Sequence, residues 1–378
     1  MDEQGIKMFD LKPSANEKLH GFLDPKGTRV ARSRIASIAR NRAKLKNCFY
    51  CHSEVEGMCN SHLIPKFIIK NIAKDGKLIG YQQILETPAG DEDVGINAAC
   101  TFQVICRNCD STVFQKYESP ESYEIEPDND ILAQIALKNH LVEISKKLED
   151  VQIYDPDNPS IPLPVDFCHT AYNVAKADLE SHVNEFEFAK SISEGLPSAI
   201  KFKVGFFTKL DYVVPIAAQC CFALIAGLEG EIVNNPYDHH PNYKVQYLHL
   251  AIFPLESSSV VLLFIKESDT RYRRFFRKLS NLPQTDQLSI IFYILLLYSE
   301  NFLLSKELPE TILKDENIMN AFSKSTETVI LDQKCDSLTL AMREFSLVNH
   351  TSVPNLLYCD FATVNNREDE ANSTKVAE

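Results

Sequence analysis

Four strings decide how this chain is read: Cys48-Phe49-Tyr50-Cys51, Asn60-Ser61-His62-Leu63-Ile64-Pro65, the lone Asn97, and Cys106-Arg107-Asn108-Cys109-Asp110. A Cys-x-x-Cys pair sets two thiolates on one tight turn, and a second pair completes a tetrahedral four-thiolate zinc site. The expectation is a structural Zn²⁺ held by Cys48, Cys51, Cys106 and Cys109. Four protein thiolates leave no open coordination position, so this zinc is a scaffold that fixes the chain between the knuckles. Cys59, Cys100 and His52 are near enough in sequence to replace one ligand.

Working outward, 378 residues are too many for one small core and predict two or three domains. The apolar fraction of 44% and charged fraction of 24% are those of an ordinary globular chain. No apolar run is long enough to span a bilayer; the most apolar stretch, Leu288 to Tyr298, predicts a buried helix. Met1-Asp2-Glu3-Gln4 carries charge and no apolar signal core. Eleven irregularly spaced cysteines, four of them in knuckles, fit a reducing compartment better than a disulfide framework. The expectations are therefore a cytoplasmic location and no membrane partner.

Charge divides the chain. The net charge is −13, yet residues 1–110 hold 16 basic against 13 acidic side chains, so the basic excess lies with the knuckles. Between Lys26 and Lys46 no acidic residue occurs, and Arg29, Arg32, Arg34, Arg40 and Arg42 punctuate the run. Such a segment either neutralises phosphates by counterion release or forms a solvated helix face. Arg107, inside the second knuckle, has the same two readings.

The expected fold class is α+β, with four segments: a basic N-terminal arm and helix over 1–46, a zinc-bound module over 47–118, a mixed helical and antiparallel-sheet region over 119–365, and a disordered tail over 366–378. Thr28 is the expected helix N-cap. Residues 66–100 read as a surface insertion with an acidic tip at Asp91-Glu92-Asp93. Leu137, Leu141, Ile144 and Leu148 recur at helical spacing and predict a helix over 130–148. A second helix is expected over 168–191. Alternation at Ile200, Phe202, Val204 and Phe206 predicts a half-buried strand, and 243–253 with 260–265 a hairpin. Helices are expected over 270–281 and 286–305. The first of these interleaves Arg271, Arg273, Arg274, Arg277 and Lys278 with Tyr272, Phe275 and Phe276, a pattern that serves nucleic acid or simply packs its aromatics inward. Cys220 and Cys221 read as core thiols. Residues 119–378 contain no phosphate loop, glycine-rich fingerprint or nucleophile elbow, which leaves a binding or sensing role there, for a protein or a regulatory ligand.

His62 is the candidate for reaction chemistry, because an imidazole accepts a proton from water near neutral pH, as phosphodiester hydrolysis requires. Cys-x-x-Cys, Ser-His-Leu-Ile-Pro, an asparagine before the second knuckle, and Cys-x-x-Cys-Asp together resemble the HNH endonuclease family in its zinc-bound ββα-metal form. The resemblance covers residues 47–118 and extends to a bacterial and phage-defence-type subgroup. It implies a metal-dependent endonuclease acting on nucleic acid, DNA in the first instance. His62 would be the general base, Asn97 the loop-holding asparagine, and Asp110 the ligand of a catalytic Mg²⁺ or Mn²⁺. Arg29, Arg32, Arg34, Arg40, Arg42 and Arg107 would then hold phosphates. Two positions depart from the family: Ser61 stands where an Asp or His usually binds the metal, and Asp110 where Asn or His is usual. They motivate the alternative, a catalytically inactive zinc-bound module that binds nucleic acid or protein. Asp110, Phe114 and Glu118 fall on one face of the expected helix, with Glu118 about 12 Å beyond Asp110 at ~1.5 Å per residue.

Overall fold

The computed structural model describes residues 25–84, 87–158, 165–238, 240, 242–324 and 337–363. The expected loose arm before the first helix and the tail over 366–378 lie outside the described residues. Helix α1 (Pro25–Arg42) leads to strand β1 (Ser61–His62), helix α2 (Lys66–Ile72), strands β2 (Lys77–Ile84), β3 (Thr87–Gly95) and β4 (Thr101–Phe102), and helix α3 (Arg107–Val113). Two long helices follow, α4 (Asn129–Ile153) and α5 (Val165–Ser193), then strands β5 (Phe202–Leu210), β6 (Ile216–Phe222), β7 (Leu248–Pro254) and β8 (Ser259–Lys266). Helices α6 (Arg273–Leu279) and α7 (Gln284–Tyr298), strand β9 (Phe302–Leu304), and helices α8 (Glu310–Leu313), α9 (Glu316–Lys324) and α10 (Ser337–Glu344) complete the fold, which is α+β.

Seven strands make one antiparallel sheet in the order β3-β2-β9-β6-β7-β8-β5. Its central strands are buried on both faces, which explains why β6, β7 and β8 read as nearly continuous apolar runs. Alternate residues divide between two cores. Ile216, Ala218, Cys220, Leu248, Leu250, Leu263 and Ile265 pack with α7. Ala217, Ala251, Phe253, Leu262 and Phe264 pack with α4 and the cysteine-knuckle residues. Helix α7 is buried from Leu288 to Leu297, as its apolar sequence requires, and among the described residues no helix is long and apolar enough to cross a membrane.

Several boundaries moved for identifiable reasons. Helix α1 starts at Pro25, so Thr28 lies inside it and is not its cap; proline suits a first turn whose N–H would be unpaired anyway. Helix α1 docks through Ile35 and Ala39 onto Ile153 of α4, Tyr154 just past its end, and Ala175 of α5. The acidic stretch Asp91-Glu92-Asp93 is not a tip: it runs within β3, where Asp93 pairs with Ile79 and Glu92 with Gly80. The helix expected to reach 305 stops at Tyr298, because Ser299 turns extended and Phe302-Leu303-Leu304 enters the sheet between β2 and β6. A three-residue apolar run carries no period, so only its pairing partners decide its state. Through β2, the insertion of the knuckle region becomes part of the sheet built by residues far downstream.

Candidate functional site

The four knuckle cysteines converge. The sulfurs of Cys48, Cys51, Cys106 and Cys109 lie within 4.8 Å of one another, with Cys51 and Cys106 4.0 Å apart. The backbone N–H of Cys106 donates to Cys48 Sγ at 3.2 Å, and that of Cys109 to Cys106 Sγ at 3.5 Å, the kind of support a thiolate needs. Burial, then the neighbouring sulfurs, push the Cys109 thiol far up, whereas hydrogen bonds from the Ser53 side chain and backbone bring the exposed Cys51 thiol down to about 6. The donor set fits a structural metal ion such as zinc. The possible substitutes are elsewhere: His52 is exposed in a left-handed backbone conformation just past the knuckle, and Cys59 and Cys100 are outside the cluster.

Around this anchor the chain forms two short strands and a helix. Ser61 pairs with Phe102 and His62 with Thr101 across β1 and β4, and α3 leaves the second knuckle with Cys106 as its N-cap. His62 is half-buried, and its Nε2 lies 2.9 Å from the Ile96 carbonyl oxygen. Burial, with Lys66 and Lys138 adding to it, holds its pKa below the usual imidazole value despite the Ile96 bond, so the ring is neutral at pH 7. Asn97 is exposed; its Oδ1 accepts from Lys66 Nζ at 2.6 Å and its carbonyl from Asn60 Nδ2 at 3.1 Å. It therefore braces the chain between β3 and β4.

The decisive feature is a residue that sequence reasoning passed over. Lys138, on α4, is fully buried, and its ammonium donates to Asp110 Oδ1 at 2.7 Å and to Ser61 Oγ at 2.8 Å. Ser61, also fully buried, donates to the same Asp110 oxygen at 2.6 Å. Glu118 Oε1 stands 3.9 Å from the ammonium, and the Phe114 ring centroid 4.1 Å from it. Burial alone would raise the Asp110 carboxyl, but Lys138 and the Ser61 hydroxyl outweigh it and hold the group below the usual carboxylate value. Glu118 is raised instead, because its burial exceeds what the more distant ammonium returns.

Two expectations meet this contact. Asp110, the expected ligand of a catalytic Mg²⁺ or Mn²⁺, has its Oδ1 engaged by the Lys138 ammonium and the Ser61 hydroxyl. Glu118 is expected on the same helical face as Asp110 and well beyond it, and this is corrected: α3 ends at Val113 and the chain turns through Phe114, bringing both carboxylates to one ammonium. The signal for Lys138 was present: it is a lone lysine between Leu137 and Leu141 on the apolar face of a long helix, where a charge needs a buried partner.

The basic residues are only partly free. Arg29 and Arg32 lie on α1, with side chains outside the described residues. Arg34 and Arg107 are exposed, whereas Arg40 pairs with Glu149 at 3.4 Å and Arg42 with Asp155 at 2.7 Å, fastening α1 to the far end of α4. The basic aromatic segment is structural: Tyr272 and Phe275 are fully buried, Arg271 donates to Asn234 Oδ1 at 2.8 Å, and Arg274 and Lys278 pair with Glu229 and Glu231.

The chain matches no family model, no curated protein and no solved structure.

Proposed function

We propose that residues 47–118 form a zinc-supported, HNH-like module that binds nucleic acid without hydrolysing it, a lysine ammonium standing where the nucleases it resembles would carry a divalent metal. The observation that carries this reading is the Lys138 ammonium, fully buried and 2.7 Å from Asp110. A buried ammonium between Asp110, Ser61 and Glu118 supplies the positive charge the carboxylates need, but it offers no coordination position for a water or a phosphate oxygen. A serine–lysine hydrolase is disfavoured because Ser61 is closed to solvent and its hydroxyl donates to Asp110. Nucleic acid is favoured as ligand by the exposed cations Arg34, Lys44, Lys46, Lys66 and Arg107, against an otherwise acidic chain. The second reading, a metal-dependent endonuclease, draws on the neutral, half-exposed His62 beside this site.

One experiment separates them. Purified full-length protein is incubated with supercoiled plasmid in Mg²⁺, Mn²⁺ or Ni²⁺, next to His62→Ala, and binding to a labelled duplex is followed across a salt series. The expectation is no cleavage above the His62→Ala background, with affinity that falls steeply as salt rises. Metal-dependent cleavage lost in His62→Ala would establish the nuclease instead, and binding indifferent to salt would remove nucleic acid as the ligand.

A further inference from the structure

Outside the knuckle region, four side chains that bind transition metals meet in the interior. Cys221 on β6 and His249 on β7 are direct cross-strand partners, so their side chains leave the same face of the sheet. That face is covered by α4 and α5, which bring His140 and His182 down onto it. All four are buried, none more than 7% exposed. The ligand atoms of His140, Cys221 and His249 lie within 4.8 Å of one another. His140 Nδ1 is also 3.1 Å from His182 Nδ1 and 3.8 Å from Cys221 Sγ.

We propose that His140, Cys221 and His249, with His182 beside them, form a second metal site that takes a borderline transition-metal cation, Zn²⁺ in the first instance. The edges fit: metal–nitrogen and metal–sulfur bonds of about 2.0 and 2.3 Å give tetrahedral edges of roughly 3.3–3.6 Å. Among the three ligands His140 Nδ1 and Cys221 Sγ stand 3.8 Å apart, close to that range, and His182 Nδ1 lies 3.1 Å from His140 Nδ1. A nitrogen–sulfur donor set selects zinc or its neighbours over Mg²⁺ or Ca²⁺. The Cys221 thiol would give up its proton as the metal–sulfur bond forms, and that proton leaves to solvent.

A purely hydrogen-bonded cluster satisfies this pocket less well. In such a cluster Asn139 Nδ2 donates to His249 Nδ1 at 3.1 Å and leaves its own Oδ1 buried without a partner; with a metal at His249 Nε2, Nδ1 would carry the proton and the Asn139 amide would turn to accept it on Oδ1. Enclosed on every side, the site is structural: it would staple the α4–α5 pair to the middle of the sheet. Lys138, two residues before His140 on the same helix, would then be held in register beneath Asp110.

The test uses the full chain as purified. Metal content is measured by plasma emission and the zinc environment by X-ray absorption, and metal-stripped protein is then titrated with Co²⁺. The expectation is two metal equivalents per chain and a mixed nitrogen–sulfur shell, with one equivalent lost in Cys221→Ser and in His140→Gln while the four-sulfur site remains. Cys51→Ser should remove the other equivalent and keep the mixed site. Because absorption and titration are read on the unaltered protein, an unstable variant does not obscure the result. A single equivalent with a shell of sulfur alone, or a second equivalent retained in both variants, would overturn the proposal.

Discussion

Replacing Lys138 with methionine keeps an unbranched side chain, one atom shorter, and deletes its charge. It removes the donations to Asp110 and Ser61 and leaves a carboxylate that is three-quarters buried, its side chain being 25% exposed. Breaking a fully buried ion pair costs about 3–5 kcal/mol; the exposed quarter lets water reach Asp110, so the expected loss is about 2–3 kcal/mol. Asp110→Asn strands the ammonium itself, with Glu118 as its remaining carboxylate, and should cost about 3 kcal/mol. The double variant removes both charges, so its destabilisation should fall short of the sum of the singles by about 2 kcal/mol. Urea unfolding of the four proteins, compared at constant m, reads this directly. Acid adds a second check: the Asp110 pKa is depressed below 3.8 in the fold, so its contribution is complete above that pH and disappears as the pH falls through the folded value. Wild type and Asp110→Asn should therefore converge in stability as the pH drops below about 4. Additive single variants, or a gap that persists in acid, would mean that the ammonium does not neutralise this site.

Two further outcomes follow from other parts of the molecule. Burial pushes Asp269 up to about 7, so the folded form holds its proton more tightly than the unfolded chain and stability is lost as the pH rises from about 4 to 7. Asp269→Asn should gain on the wild type by about 2–4 kcal/mol across that interval, then run parallel to it above pH 7, as read from melting temperature against pH. A Cβ at Gly205, at the irregularity in β5, would meet the Phe276 ring at 2.2 Å. Gly205→Ala should therefore cost about 1–3 kcal/mol in urea unfolding, and Gly205→Ala with Phe276→Leu should regain part of it.

The sequence by itself determined what depends on short spans. Two Cys-x-x-Cys turns specify four thiolates whatever the remainder of the chain does, because each pair is held by its own knuckle, and the four sulfurs do meet. The periodic apolar residues of α4 and the apolar run of α7 likewise announced buried helices, since burial of one face or of every face is written in the spacing. Tertiary structure decided whatever relies on contacts between distant segments. Lys138 meets Ser61 across 77 positions and Asp110 across 28, a partnership that no local pattern encodes. Cys221 and His249 acquire a shared face only through strand register, and His140 and His182 join them only once α4 and α5 have packed on the sheet. Near the knuckles, short-range geometry was legible as a metal scaffold. The ammonium that meets Ser61 and Asp110 beside that scaffold arrives from another helix, which no pattern near the knuckles announces.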